Sequence, residues 1–134
     1  MSMRCSMILK MKNMLKTMID LTHNHETRIR ILSKSLRKEV DKNEIIAKIK
    51  NHYKNSEPYD LDGRTNIDSL IYEDGTEDFI VEGRNGPSTW IAEYLAKLFP
   101  SKRIHMTWLC LDWKSGSIIY TYDNDKLYED IRKA

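Results

Sequence analysis

The 134-residue sequence contains only two cysteines, Cys5 and Cys110. Two thiols cannot build a disulfide framework, and Cys110, in the middle of an apolar segment, reads as a buried thiol of a reducing compartment. No apolar run is long enough to cross a bilayer. The N-terminal segment is rich in Met, but Lys10, Lys12 and Lys16 interrupt any signal-peptide core and no small-residue cleavage site follows. These absences predict a protein of the cytoplasm with no membrane partner. Internal repeats and low-complexity tracts are also missing, and no catalytic or cofactor motif rises above background. Asp60-x-Asp62-Gly63 has the look of the end of a calcium loop, but position one would be Pro58 and position twelve Ser69, where a bidentate Glu is required. His23 and His25 flank Asn24 without a third ligand at a usable spacing, so no metal or other cofactor is expected.

The charge is unevenly distributed. The formal net charge is +2. Residues 1–56 hold thirteen Lys and Arg against five Asp and Glu, an excess of +8, whereas residues 57–134 hold nine against fifteen, an excess of −6. Such a division gives one surface that attracts polyanions and another that suits a basic partner. The alternative is that the two halves lie against each other and cancel.

With 40% hydrophobic residues the chain has enough apolar material for one domain with a core, and too little length for two. Met3, Met7, Met11, Met14 and Met18 recur at helical spacing with Ile8 and Leu15, so residues 1–18 read as an amphipathic helix that packs on the domain or joins two copies in a homodimer, or else as a dispensable extension. The compact domain is then 19–134. After the polar Thr22-His23-Asn24-His25, Thr27, Ile29 and Ile31 alternate with Arg28 and Arg30, a strand with one basic face. Ile45, Ile46, Ile49 and Tyr53 give 41–54 a helical stripe with Asp41 or Asn43 as its cap, and 57–66 has the composition of a loop. Residues 67–72 and 78–84 form two strands joined across Asp74-Gly75. Asn85-Gly86-Pro87-Ser88 opens a helix bearing Trp90, Ile91, Tyr94, Leu95 and Leu98, which Pro100 ends. Lys102–Trp113 is a long strand with Ile104, Met106, Trp108 and Cys110 toward the helices and His105, Thr107, Leu109, Leu111 and Trp113 on the open face, where apolar groups invite a partner. Lys114-Ser115-Gly116-Ser117 turns it into 118–123, and Leu127, Tyr128 and Ile131 predict a last short helix over 125–134.

The order βα, hairpin, αββ predicts an α+β fold, a ferredoxin-like antiparallel sheet with two helices packed on one face, plus the N-terminal amphipathic helix. Phe79-Ile80-Val81-Glu82-Gly83, Gly86-Pro87-Ser88-Thr89-Trp90, Lys97-Leu98-Phe99-Pro100, the aromatic stretch from Trp108 to Trp113, Gly116 and Tyr120-Thr121-Tyr122 carry a resemblance. Over residues 79–127 the chain resembles the ferredoxin-like domain of the Api-type proteins of phages and plasmids. The resemblance implies a mobile-element setting, in which small accessory proteins act by binding host machinery.

The functional expectation is a non-catalytic phage or mobile-element protein. It inhibits a host nucleoprotein defence system, in the manner of an anti-CRISPR, through protein–protein interaction in the host cytoplasm. The partner-binding candidates are the acids Asp60, Asp62, Glu73, Asp74, Glu77, Asp78 and Glu82, whose negative field suits a basic groove that normally holds nucleic acid. The alternative is nucleic-acid binding through Arg28, Arg30, Lys34, Arg37 and Lys38. A small hydrolase or nuclease would need a convergent carboxylate cluster with one raised pKa, and no apolar pocket is evident to raise it.

Overall fold

The computed structural model describes residues 25–54, 65–84, 86–110 and 115–133. The Met-rich segment, His23, Asp60, Asp62, Leu111 and Trp113 lie outside the described residues, as do the expectations that rest on them. The fold is α+β. Its elements run β1 (His25–Ile31), α1 (Lys34–Glu39), α2 (Lys42–Lys54), β2 (Thr65–Glu73), β3 (Asp78–Gly83), α3 (Thr89–Leu98), β4 (Ile104–Cys110), β5 (Ser115–Asp123) and β6 (Lys126–Lys133). The strands form one open sheet in the order β2-β3-β1-β4-β5-β6, and every neighbouring pair is antiparallel.

Alternation decides which face of the sheet is covered. Thr27, Ile29 and Ile31 of β1 point to one side with Phe79 and Val81 of β3, Ile104 and Met106 of β4, and Ile118 and Tyr120 of β5. All of these are buried, and all but Thr27 share one cluster with Ile45 and Ile49 of α2 and Ile91 and Leu95 of α3. Full burial of an aliphatic side chain of this size is worth about 1.5–3 kcal/mol. Trp90 and Trp108 pack on the cluster while remaining partly accessible, one from the helix and one from the sheet. The expected face assignment of the long strand therefore holds for Ile104, Met106 and Trp108. Burial among these groups also raises the Tyr120 phenol pKa far above its ordinary value.

Local chemistry sets the helix starts. The Asp41 carboxylate accepts from the amides of Asn43 (3.0 Å) and Glu44 (3.3 Å), so Asp41 rather than Asn43 caps α2. Ser33 does the same for the short α1, its hydroxyl accepting from the Leu36 amide at 3.4 Å. Ser88 sits at the N-cap of α3 but gives no side-chain cap. Its hydroxyl is buried and shares a 2.9 Å hydrogen bond with that of Thr65, while its amide donates to Thr27 Oγ1 at 3.1 Å.

Two expectations are corrected. Residues 126–133 are a strand, not a helix. Asn124 and Asp125 both take left-handed backbone (φ 51° and 62°), the geometry of a two-residue type I′ turn, and that turn folds β6 onto β5. Ser115-Gly116-Ser117, expected as a turn, instead opens β5. Gly116 stands opposite Trp108, and a Cβ at position 116 would come within 2.7 Å of the indole Cη2. The glycine is there because the ring lies across it.

Candidate functional site

The face of the sheet away from α2 and α3 receives the other half of each alternation. From β1 it takes Glu26, Arg28 and Arg30, from β3 Asp78, Ile80 and Glu82, and from β4 His105, Thr107 and Leu109. The spacing of two in β1 puts both guanidinium groups on this face, and antiparallel pairing with β3 brings them to the foot of the β2–β3 hairpin.

That hairpin closes through four residues rather than two. The Glu73 carbonyl accepts from the amides of Thr76 (3.1 Å) and Glu77 (2.7 Å), and Glu77 turns the chain back with φ 62°. Side chains then fix the turn from below. Arg28 Nε donates to Glu26 at 3.0 Å, and its Nη1 reaches Glu73 at 3.4 Å and Asp78 at 3.5 Å. Arg30 Nε donates to the other oxygen of Asp78 at 2.7 Å, and its Nη2 donates to the Thr76 carbonyl. Thr76 Oγ1 donates to the Glu73 carboxylate at 3.0 Å. From α1 the buried Arg37 donates to the Ile31 carbonyl at 2.5 Å and forms an ion pair with Glu77.

The electrostatics follow from these contacts. The Arg37 hydrogen bond holds the Glu77 carboxyl below its ordinary pKa. Burial alone would lower the Arg28 pKa, but Glu26 and Glu73 outweigh it and the net shift is upward. His105, opposite Arg30 in the register, is pushed down, first by burial and then by Arg30 and Arg103, against an opposing pull from Asp78.

The two candidate sets thus meet in one place. Glu73, Asp74, Glu77 and Asp78 share the hairpin, and three of the four are paired with Arg28, Arg30 or Arg37. Asp78 is buried, whereas Asp74 projects at the tip with no ion pair among the described residues. Glu82 lies further along β3, opposite Glu26 and Asn66. Lys34 and Lys38 are exposed on α1, the helix that also carries Arg37, and neither forms an ion pair with the hairpin acids among the described residues. Sequence reasoning missed Glu26, Thr76 and His105. The alternation that put Arg28 and Arg30 on one face also puts Glu26 there, so that member was within reach. His105 and Thr76 depend on which strands become neighbours.

A second polar group lies in the core. Thr27, Thr65 and Ser88 are buried, and Trp90 Nε1 donates to Thr65 Oγ1 at 3.2 Å. Hydroxyls bonded to one another, to an amide and to an indole tie β1, β2 and the start of α3 together, and this is a structural arrangement. Beside it His52 stacks on Tyr94 with ring centroids 4.4 Å apart, and Tyr53 lies against Trp90 at 5.7 Å. Among the described residues no group of three or more His, Cys, Asp or Glu is placed to hold a metal ion, and no helix is long and apolar enough to cross a membrane. No protein-family model matches this chain, nor does any curated protein or solved structure.

Proposed function

We propose that the chain is a non-catalytic binding protein of the kind that phages and other mobile elements carry, inhibiting a host nucleoprotein defence system in the manner of an anti-CRISPR protein. The core is read as ferredoxin-like. The neighbour order β2-β3-β1-β4, with helices following β1 and β3, supports that reading, and β5 and β6 are then additions beyond β4. The partner is a host protein or nucleoprotein complex with a basic groove, met in the host cytoplasm.

The observation that carries the reading is that the acidic turn is both fixed and accessible. Three arginines hold it from below, yet the Glu73 and Glu77 side chains remain 43% and 47% exposed and Asp74 is exposed at the tip. Carboxylates already ordered before docking lose little conformational freedom on binding, and an acidic rim accelerates the approach of a basic surface. Asp68 on β2 extends the accessible acid. Capture from host lysate, with and without nuclease, by the wild type and by an Asp68→Lys, Asp74→Lys variant tests the proposal. Nuclease-resistant capture that the variant loses is expected. Capture abolished by nuclease and retained by the variant would overturn it.

A second reading has its own observation. Arg28, Arg30 and Arg37 are committed to carboxylates, but Lys34, Lys38 and Lys54 are exposed on α1 and α2. Nucleic-acid binding would therefore run through the helices rather than β1. It would appear as a salt-sensitive mobility shift that Lys34→Ala, Lys38→Ala weakens.

A further inference from the structure

Among the described residues the sheet ends at β6, whose edge is regular although five of its eight residues are charged. All eight residues from Lys126 to Lys133 pair with β5 in unbroken register. Neither proline nor bulge interrupts the strand. The opposite edge is handled differently. The register of β2 shifts between Asn66 and Ile71, and Ser69 Oγ bridges the gap, donating to the Asn66 carbonyl at 2.7 Å and accepting from the Glu82 amide at 2.8 Å. A bulged, side-chain-bridged edge cannot template another strand; a regular one can.

Two large apolar side chains, Tyr128 and Ile131, stand 51% and 57% exposed on opposite faces of β6. The type I′ turn sets which backbone groups are free. Asp123 and Lys126 close the turn with a hydrogen bond, so Lys126, Tyr128, Asp130 and Arg132 bond to β5 while positions 127, 129, 131 and 133 present N–H and C=O outward.

We propose that β6 pairs antiparallel with β6 of a second copy of this chain, about a two-fold axis at Ile131, joining two six-stranded sheets into one of twelve strands. The outward backbone groups of residues 129, 131 and 133 alternate correctly for this register. Ile131 meets Ile131 of the other copy, and Glu129 comes opposite residue 133. Asp130 meets Arg132 of the other copy and Arg132 meets its Asp130, so the exposed pair that each strand now keeps to itself at 2.8 Å is exchanged symmetrically. Other even registers fail on charge: an axis at Glu129, Asp130 or Arg132 sets each against itself. An axis at Tyr128 also overlaps five residues and sets Lys126 opposite Asp130, but it joins the outward backbone groups of 127 and 129 only, one hydrogen-bonded pair fewer, and leaves Ile131 outside the paired segment. The contact is small, so the dimer forms with rising concentration rather than obligately. The inference is independent of the acidic hairpin.

Sedimentation velocity of the full chain over a concentration series tests it. The wild type is expected to pass from monomer to dimer. Asp130→Arg sets like charges opposite each other and should weaken association by about tenfold or more, and the exchange Asp130→Arg, Arg132→Asp should restore it. Both sites are exposed, so the fold is kept, which circular dichroism checks. A wild type that stays monomeric throughout, or a dimer indifferent to Asp130→Arg, would overturn the proposal.

Discussion

Two arginine–carboxylate contacts of nearly equal length lie at opposite sides of the sheet. Arg30 and Asp78 are 2.7 Å apart where β1 meets β3, with side chains 39% and 11% exposed. Arg132 and Asp130 are 2.8 Å apart on β6, with side chains 65% and 55% exposed. Distance does not distinguish them; surroundings do. Asp78 has surrendered most of its water and is held by two guanidinium groups, so losing either partner would strand a poorly solvated charge. Asp130 can return to solvent at little cost, so its pair adds little to folding and stays free for exchange. The same chemistry builds the fold in one place and leaves it open to a partner in the other.

Breaking the buried side should have the largest effect. Asp78→Ala leaves Arg28 and Arg30 without their shared anion and is expected to cost about 3 kcal/mol, read as a lower denaturant midpoint. Arg37→Ala should be comparable, since Arg37 is a buried charge serving Glu77 and the Ile31 carbonyl. On the far side of the sheet, packing takes the place of charge. Gly116→Ala forces the Trp108 ring to move and should cost about 1–3 kcal/mol, with a change in tryptophan fluorescence.

A pH titration sharpens the contrast. The His105 pKa is depressed in the fold, so the stability linked to it is present above the ordinary value near 6.5 and is lost as pH falls through the lower folded value. Stability should therefore decline on acidification from just above pH 6.5, and His105→Gln should flatten that slope. Glu77, also depressed, adds a second loss only below its ordinary 4.5. The smallest effect belongs to the open edge: Asp130→Ala or Arg132→Ala should leave the denaturant midpoint essentially unchanged.

Much of the scaffold was legible in the sequence, because β1, α2, β3 and α3 announce themselves through period-two and period-3.6 patterns and through Asp41. β6 was misread because Leu127, Tyr128 and Ile131 satisfy a helical spacing. As a strand, Leu127 and Ile131 share one face and Tyr128 takes the other, and Asn124-Asp125, two residue types that tolerate left-handed backbone, marks the hairpin turn that decides between the readings. Gly116 reads as a turn signal unless Trp108 is known to lie across from it. The candidate surfaces were the hardest part. Arg28 and Arg30 were assigned to one surface and Glu73, Glu77 and Asp78 to a rival one, because about fifty residues separate them and nothing local records that β1 lies beside β3. The cancellation raised as the alternative reading of the charge division is realised at this point, although the lysines of α1 and α2 keep their charge.

The basic strand and the acidic hairpin are one internally ion-paired unit with an acidic rim, and a double-mutant cycle at Arg30 and Asp78 tests this most directly. Arg30→Ala, Asp78→Ala and the double substitution should give a coupling of at least about 1 kcal/mol, against a value near zero for the same cycle at Asp130 and Arg132. Equal couplings at the two sites, or none at Arg30 and Asp78, would contradict the account.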